Sequence, residues 1–365
     1  RKESFDTEYG AKATLDAAKH STIHVQAVHP EDNVGTNLAD ELTPLNYYTI
    51  LSDEEPASVY TNANLRSFRI TQPLQINMEN DSLHMRFYSP VGIKEVTVMA
   101  KSPTMDEYVE FVYIDNIPAF ADIKTSIKVL EKGLYRTESG KIQQLSAEEI
   151  NPASLSLKIS CNDPYWTKIS QIKAKWYIKF VLNGGNPVTG VPNNNWWGIR
   201  PVHCREAVAL YLNIGYMCTL EKFQQRVSTF QGTLLYNNRY PIDTSTIIPK
   251  LENLSGFDIG LVYSGNGVSG LGGGRTWGVY QKSFLYHYEN SGGCCSTIFH
   301  ELGHCLGYNH NSTMTYGKWA SGCADVFYKN NIKDFPVNSH TILKSRRIPI
   351  STNNYETFVC YYICI

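Results

Sequence analysis

The chain has 365 residues, 42% hydrophobic and 18% charged, with a formal net charge of −1. That length holds two domains of ordinary size, and the composition is that of a globular protein. A near-neutral balance without a basic stripe argues against a nucleic-acid partner, and no apolar run approaches the roughly twenty residues that span a bilayer.

In chain order, residues 1–20 are polar and mixed, a loosely held lead-in. The chain begins at Arg1 without a methionine or a hydrophobic leader. It is therefore expected to be a trimmed form that has lost a signal segment, and to work outside the cytoplasm, secreted or surface-anchored. Short runs of period-two alternation follow at 22–28, 83–88, 96–99 and 108–113. Turn signals separate them at Asn80-Asp81, Ser89-Pro90-Val91-Gly92 and Ser102-Pro103. Strands at this spacing predict an antiparallel β-sandwich. Residues 30–66 read as a long polar loop, 146–149 as a short helix, and Leu155, Leu157 and Ile159 as a last strand. His24, His29 and His84 fall on these strands or their ends without partner spacing, and read as structural. A boundary near Asn162-Asp163-Pro164 gives a β-sandwich over 1–165 and a second domain over 166–365, an α+β architecture.

The second domain opens with a strand at 176–182. A loop rich in Asn, Gly and Pro follows; its Asn193-Asn194-Asn195-Trp196-Trp197 segment either holds substrate or packs, and packing is the commoner fate of tryptophan. Residues 202–213 and 219–230 read as helices, the second with Leu220, Phe223, Val227 and Phe230 at helical spacing. Strands are expected at 232–236 and 257–263, and a looser alternation runs over 276–288. Between them Gly270-Leu271-Gly272-Gly273-Gly274 cannot be a buried strand interior. No Lys-Ser/Thr follows those glycines, so a phosphate loop is rejected. The apolar end, 358–365, reads as a strand docked on one of the domains.

The chemistry concentrates at His300-Glu301-Leu302-Gly303-His304-Cys305-Leu306-Gly307-Tyr308-Asn309-His310. His300 and His304 are one helical turn apart on one face and can share a metal ion. Gly307 suits a left-handed helix end that turns His310 toward the same ion. Three neutral nitrogens with one open position describe a catalytic Zn2+ site, with Glu301 as the general base. Five positions are fixed, three of them in a scarce residue type, so surface histidines on an ordinary helix are a weak alternative. Ser296 is the expected N-cap, and Ile298, Phe299, Leu302 and Leu306 the buried face.

This pattern resembles the long zinc motif of the metzincin metalloendopeptidases. Ser312-Thr313-Met314-Thr315-Tyr316-Gly317 is similar to the family's Met-turn, although only three residues separate His310 from Met314. Phe257-Asp258-Ile259-Gly260-Leu261-Val262-Tyr263 is similar to a strand that precedes the zinc helix in several groups, with Leu261 where the family has histidine. The resemblance implies a twisted mixed sheet with a zinc-binding active-site helix. It implies Met314 as the floor beneath the metal and Tyr316 as an extra ligand or transition-state donor. It also implies a substrate-binding sheet edge, placed at 274–280, and a zinc-activated water attacking the peptide bonds of a protein or peptide substrate. Trp319 and Phe327 are expected in the pocket wall. Some family pro-segments place a Cys or Asp on the zinc, and Cys161 or Asp163 are the candidates for that. Two other readings stay open: a zinc-binding adhesion or carbohydrate-binding protein without proteolytic activity, and a zinc hydrolase acting on a non-peptide amide.

There are nine cysteines, an odd number. Pairing among the later ones, with Cys305 and Cys323 bracing the Met-turn, would suit an oxidising compartment. Buried free thiols are the equal alternative.

Overall fold

The structure, a computed structural model, describes residues 25–26, 44–51, 66–127, 129, 131–182, 191–288 and 294–338. These form a mixed α/β architecture of five sheets and seven α-helices. No helix among the described residues is long and apolar enough to cross a membrane. The described residues divide into two compact units, one holding those up to 50 together with 73–168, the other 51–72 and those from 169 onward. The helix Pro164–Ile169 lies on the division.

The first unit contains two four-stranded antiparallel sheets. In one, Ser82–Phe87 pairs on one side with Leu74–Glu79 and on the other with Ala121–Ser126, which in turn pairs with Pro44–Thr49. Alternation explains Ser82–Phe87: Leu83, Met85 and Phe87 are fully buried, while Ser82, His84 and Arg86 face outward. The hairpin before it turns at Asn80, whose φ of 57° suits asparagine. The second sheet runs Val25–Gln26, Val109–Ile117, Ile93–Lys101, Ser156–Cys161. Two readings are corrected here. Residues 30–66 include the six-residue strand Pro44–Thr49, and 146–149 is a strand end and turn in which Ser146 N donates to Glu149 Oε2. His84 is structural: its nitrogens lie 2.7 Å from Glu79 Oε1 and 2.7 Å from Asp122 Oδ1. His24, His29 and the 358–365 end lie outside the described residues.

The second unit is built on one sheet. Its strands are β1 (Ser67–Arg69), β2 (Tyr177–Leu182), β3 (Trp196–Trp197), β4 (Gly256–Val262), β5 (Gly270–Gly273) and β6 (Thr276–Val279). The order is β5-β6-β4-β2-β1; β2, β4 and β6 run parallel, and the two outer strands are antiparallel to their neighbours. β3 extends the sheet beside the end of β4. β4 is buried along almost its whole length, as a central parallel strand covered on both faces must be. Helix α1 (Pro201–Thr219) is buried nearly all round and starts with proline, whose missing N–H costs nothing there. Its Tyr211 packs edge-on and tilted among Trp176, Phe257 and Trp277, with ring centroids 4.9–5.9 Å apart. Helices α2 (Glu221–Ser228), α3 (Ile247–Glu252), α4 (Gln281–Leu285), α5 (Cys294–Cys305) and α6 (Val326–Asn331) complete the unit.

Three expectations for this unit change. The run 276–288 is a four-residue strand followed by α4. The edge expected at 274–280 is an interior strand: β6 pairs with β4 on one side and β5 on the other. The outer strand on that side, among the described residues, is the glycine run itself. The strand expected at 232–236 shrinks to a small hairpin, Leu235–Tyr236 with Tyr240–Pro241.

Candidate metal centre

Helix α5 carries the motif. Ile298, Phe299, Leu302 and Leu306 are all buried, as their spacing implies. The helix begins at Cys294, so Ser296 lies inside the first turn instead of capping it; its hydroxyl bonds to that of Ser321 at 2.9 Å. The far end closes as a Schellman motif. Gly307 has φ 91° and donates to His304 O at 2.9 Å, and Tyr308 N donates to Gly303 O at 3.1 Å. That left-handed residue sends the chain back past its own helix, bringing His310 beside His300 and His304.

The three ligand atoms lie within 4.8 Å of one another. Nε2 of His304 is 3.2 Å from Nε2 of His300 and 3.0 Å from Nε2 of His310. The other side of two rings decides what those distances mean. His300 Nδ1 faces Thr315 O at 2.5 Å, and His304 Nδ1 faces Tyr308 O at 2.7 Å. A carbonyl only accepts, so both Nδ1 atoms carry the hydrogen and both Nε2 atoms present bare lone pairs. Two such lone pairs at 3.2 Å repel unless a cation lies between them. Metal–imidazole bonds of about 2.0–2.1 Å at tetrahedral angles put ligand nitrogens about 3.3–3.4 Å apart, close to the two His304 separations, with all three nitrogens within 4.8 Å. The residues therefore fit a divalent transition metal of the kind imidazole favours. Burial, the largest cause for both, holds His300 and His304 below the ordinary 6.5, keeping them neutral and ready to ligate.

Glu301 is buried, and its Oε1 lies 4.0 Å from His300 Nε2. Desolvation pushes its carboxyl up to about 8. It shares with Cys305, one turn on, the helix face toward β5 and β6; the Cys305 thiol donates to Thr276 O. The segment 312–317 packs against the opposite side. A Cβ on Gly303 would meet Met314 O at 2.8 Å, so this glycine sets how closely the turn approaches. Met314 is fully buried. The short link from His310 closes through local bonds: Asn311 N donates to Asn309 Oδ1, Met314 N to Ser312 Oγ, and Thr315 Oγ1 to Asn309 O at 3.0 Å. Tyr316 is 55% exposed, and its ring centroid lies 4.5 Å from that of His300 and 5.2 Å from that of His310.

Several expected participants do other work. Trp319 and Phe327 are buried against Phe223 and belong to the core. Cys305 and Cys323 are separate buried thiols with no bond between them. Trp197 is buried edge-on to Tyr263, and Trp196 covers Gly278, so this pair packs. Cys161 donates its thiol hydrogen to Lys94 O, and Asp163 accepts from Tyr165 N and Lys94 N. Sequence reasoning missed Thr315 and Tyr308, which orient histidines through backbone carbonyls that no residue type announces. It also missed Gly270, Gly272 and Gly303, whose identity was a visible signal of close approach. No protein-family model, no curated protein and no solved structure matches the chain.

Proposed function

We propose that this chain is a zinc-dependent endopeptidase with a metzincin-like catalytic unit, preceded by an accessory unit whose two antiparallel sheets are the layers of a β-sandwich. The observation that carries the reading is the convergence of three Nε2 atoms, two with fixed tautomers, beside a buried glutamate. His300, His304 and His310 would hold zinc. When bound there, zinc supplies Lewis-acid activation of water and polarisation of a scissile carbonyl.

The protein's own groups do the rest. In its ionised form Glu301 takes a proton from the attacking water and returns it to the leaving amine nitrogen. Its buried position excludes the bulk water that would otherwise compete for that proton. Thr315 O and Tyr308 O hold two imidazoles in one tautomer throughout. The Tyr316 hydroxyl is the candidate donor to the oxygen that gains charge. An extended peptide lies along β5, whose outer backbone groups can add it to the sheet as a further strand.

The test is a Glu301→Gln protein assayed for metal content and for cleavage of a mixed peptide library. The expected result is about one zinc per chain in both proteins and turnover in the wild type alone. Full peptidase activity in Glu301→Gln would refute the mechanism, and an active-site metal without cleavage of any peptide would refute the peptidase reading.

A further inference from the structure

The glycine run on β5 has a use that strand pairing does not explain. Gly273 and Gly274 have φ of 143° and 56°, values that call for glycine. Gly270 and Gly272 do not have positive φ, so their backbone is open to any residue. Glycine in a strand costs roughly 0.5–1 kcal/mol relative to alanine. What demands glycine at these two positions is space. A Cβ on Gly270 would lie 2.2 Å from Glu301 Oε1, 2.6 Å from its Cδ and 2.7 Å from its Cγ. A Cβ on Gly272 would lie 2.5 Å from Glu301 O and 2.8 Å from Oε2. The two residues are two apart on one strand and present the same face. Bare backbone is therefore the back wall against which the Glu301 side chain rests, with His300 Nε2 4.0 Å from Oε1.

We infer that Gly270 is a positioning residue for the Glu301 carboxylate, setting its reach toward the metal by the absence of a side chain. This rests on the peptidase reading for its rate consequences, though not for its geometry. The two glycines separate cleanly. At Gly270 the atoms in the way belong to a flexible side chain, so an added methyl moves the base and leaves the helix in place. At Gly272 the nearest atom is helix backbone, so an added methyl moves the helix and its two histidines as well.

The experiment compares Gly270→Ala, Gly272→Ala, Glu301→Asp and the double variant Gly270→Ala/Glu301→Asp, as zinc and as cobalt(II) proteins. Gly270→Ala keeps the wild-type metal content and loses about 10²-fold in kcat with little change in KM, the scale expected of an ångström's misplacement. Shortening the base by one methylene makes room for the new methyl, so the double variant is no slower than Glu301→Asp alone. Gly272→Ala loses metal affinity too. The visible absorption of the cobalt protein shifts in Gly270→Ala, and this needs no turnover. A wild-type protein that cleaves no peptide refutes the peptidase reading, while the cobalt shift still tests the positioning. An unshifted cobalt spectrum in Gly270→Ala, kcat within about twofold of wild type, or losses that multiply in the double variant would each overturn the inference.

Discussion

Replacing Gly303 by alanine sets two effects against each other. In an exposed helix the change would stabilise by about 1 kcal/mol, because glycine pays more backbone entropy on folding. Here the new Cβ would lie 2.8 Å from Met314 O and 3.3 Å from Thr315 Cγ2. The first of these is backbone and cannot rotate aside, and overpacking of this kind costs about 1–3 kcal/mol. The clash wins by up to about 2 kcal/mol, and each kcal/mol lowers the melting temperature of a unit this size by about 2–4 °C. The displaced segment also carries Thr315 O, which orients His300. Losing such a support typically costs about 10- to 100-fold in metal affinity. Melting of the metal-free protein and chelator competition for the metal-loaded one read the two effects separately. A Gly303→Ala protein that melts higher than wild type and binds metal as tightly would refute the claim that this glycine sets the seat of the 312–317 segment.

Other perturbations have equally definite outcomes. Added zinc raises the melting temperature of the wild type in proportion to the logarithm of its concentration, and His304→Ala abolishes that rise; calorimetry reads both. Tyr316→Phe keeps its metal and loses on the order of 10²-fold in kcat, the cost of one donor to a developing oxyanion, measured in steady-state peptide assays. His84 is held above its ordinary 6.5 first by Asp122 and then by Glu79. A raised folded value means its contribution is complete below 6.5 and is lost as pH rises through the folded value. Urea unfolding across that window should show a falling stability that His84→Leu removes. Glu79, pulled down to about 2 first by Lys124 and then by His84, works the other way: its contribution holds above 4.5 and fades as pH falls toward 2.

The three-histidine site was legible because its information is local. Two histidines four apart, a glutamate between them and a glycine at a helix end carry their geometry in their spacing, and His300, Glu301, His304 and His310 come together accordingly. The sheet edge was not. β5 is glycine-rich and has no strand propensity of its own; its place follows from pairing with β6 and from α5 lying against it, neither of which leaves a period in the sequence. β1 was hidden for another reason. It has three residues, and Ser67 meets Tyr177 110 positions away. The alternation of Ser82–Phe87 was readable because one face is buried and the other solvated, whereas β4, buried on both, reads only as an apolar run. The cysteines carried no signal about pairing: Cys305 and Cys323 are separate free thiols.

The chain's path through its two units bears on proteolytic processing. Among the described residues it passes from one unit to the other at 50/51, again at 72/73 and again at 168/169. The strand Ser67–Arg69 belongs to the sheet against which the three-histidine helix lies, although it precedes most of the other unit in the sequence. A single cut near residue 168 therefore severs the chain without freeing a complete second unit. The piece that departs would have to strip a hydrogen-bonded strand from β2 as it left. If this protein is made latent and later switched on, the route is a rearrangement or a cut elsewhere, because trimming away everything before the second unit would also remove part of its sheet.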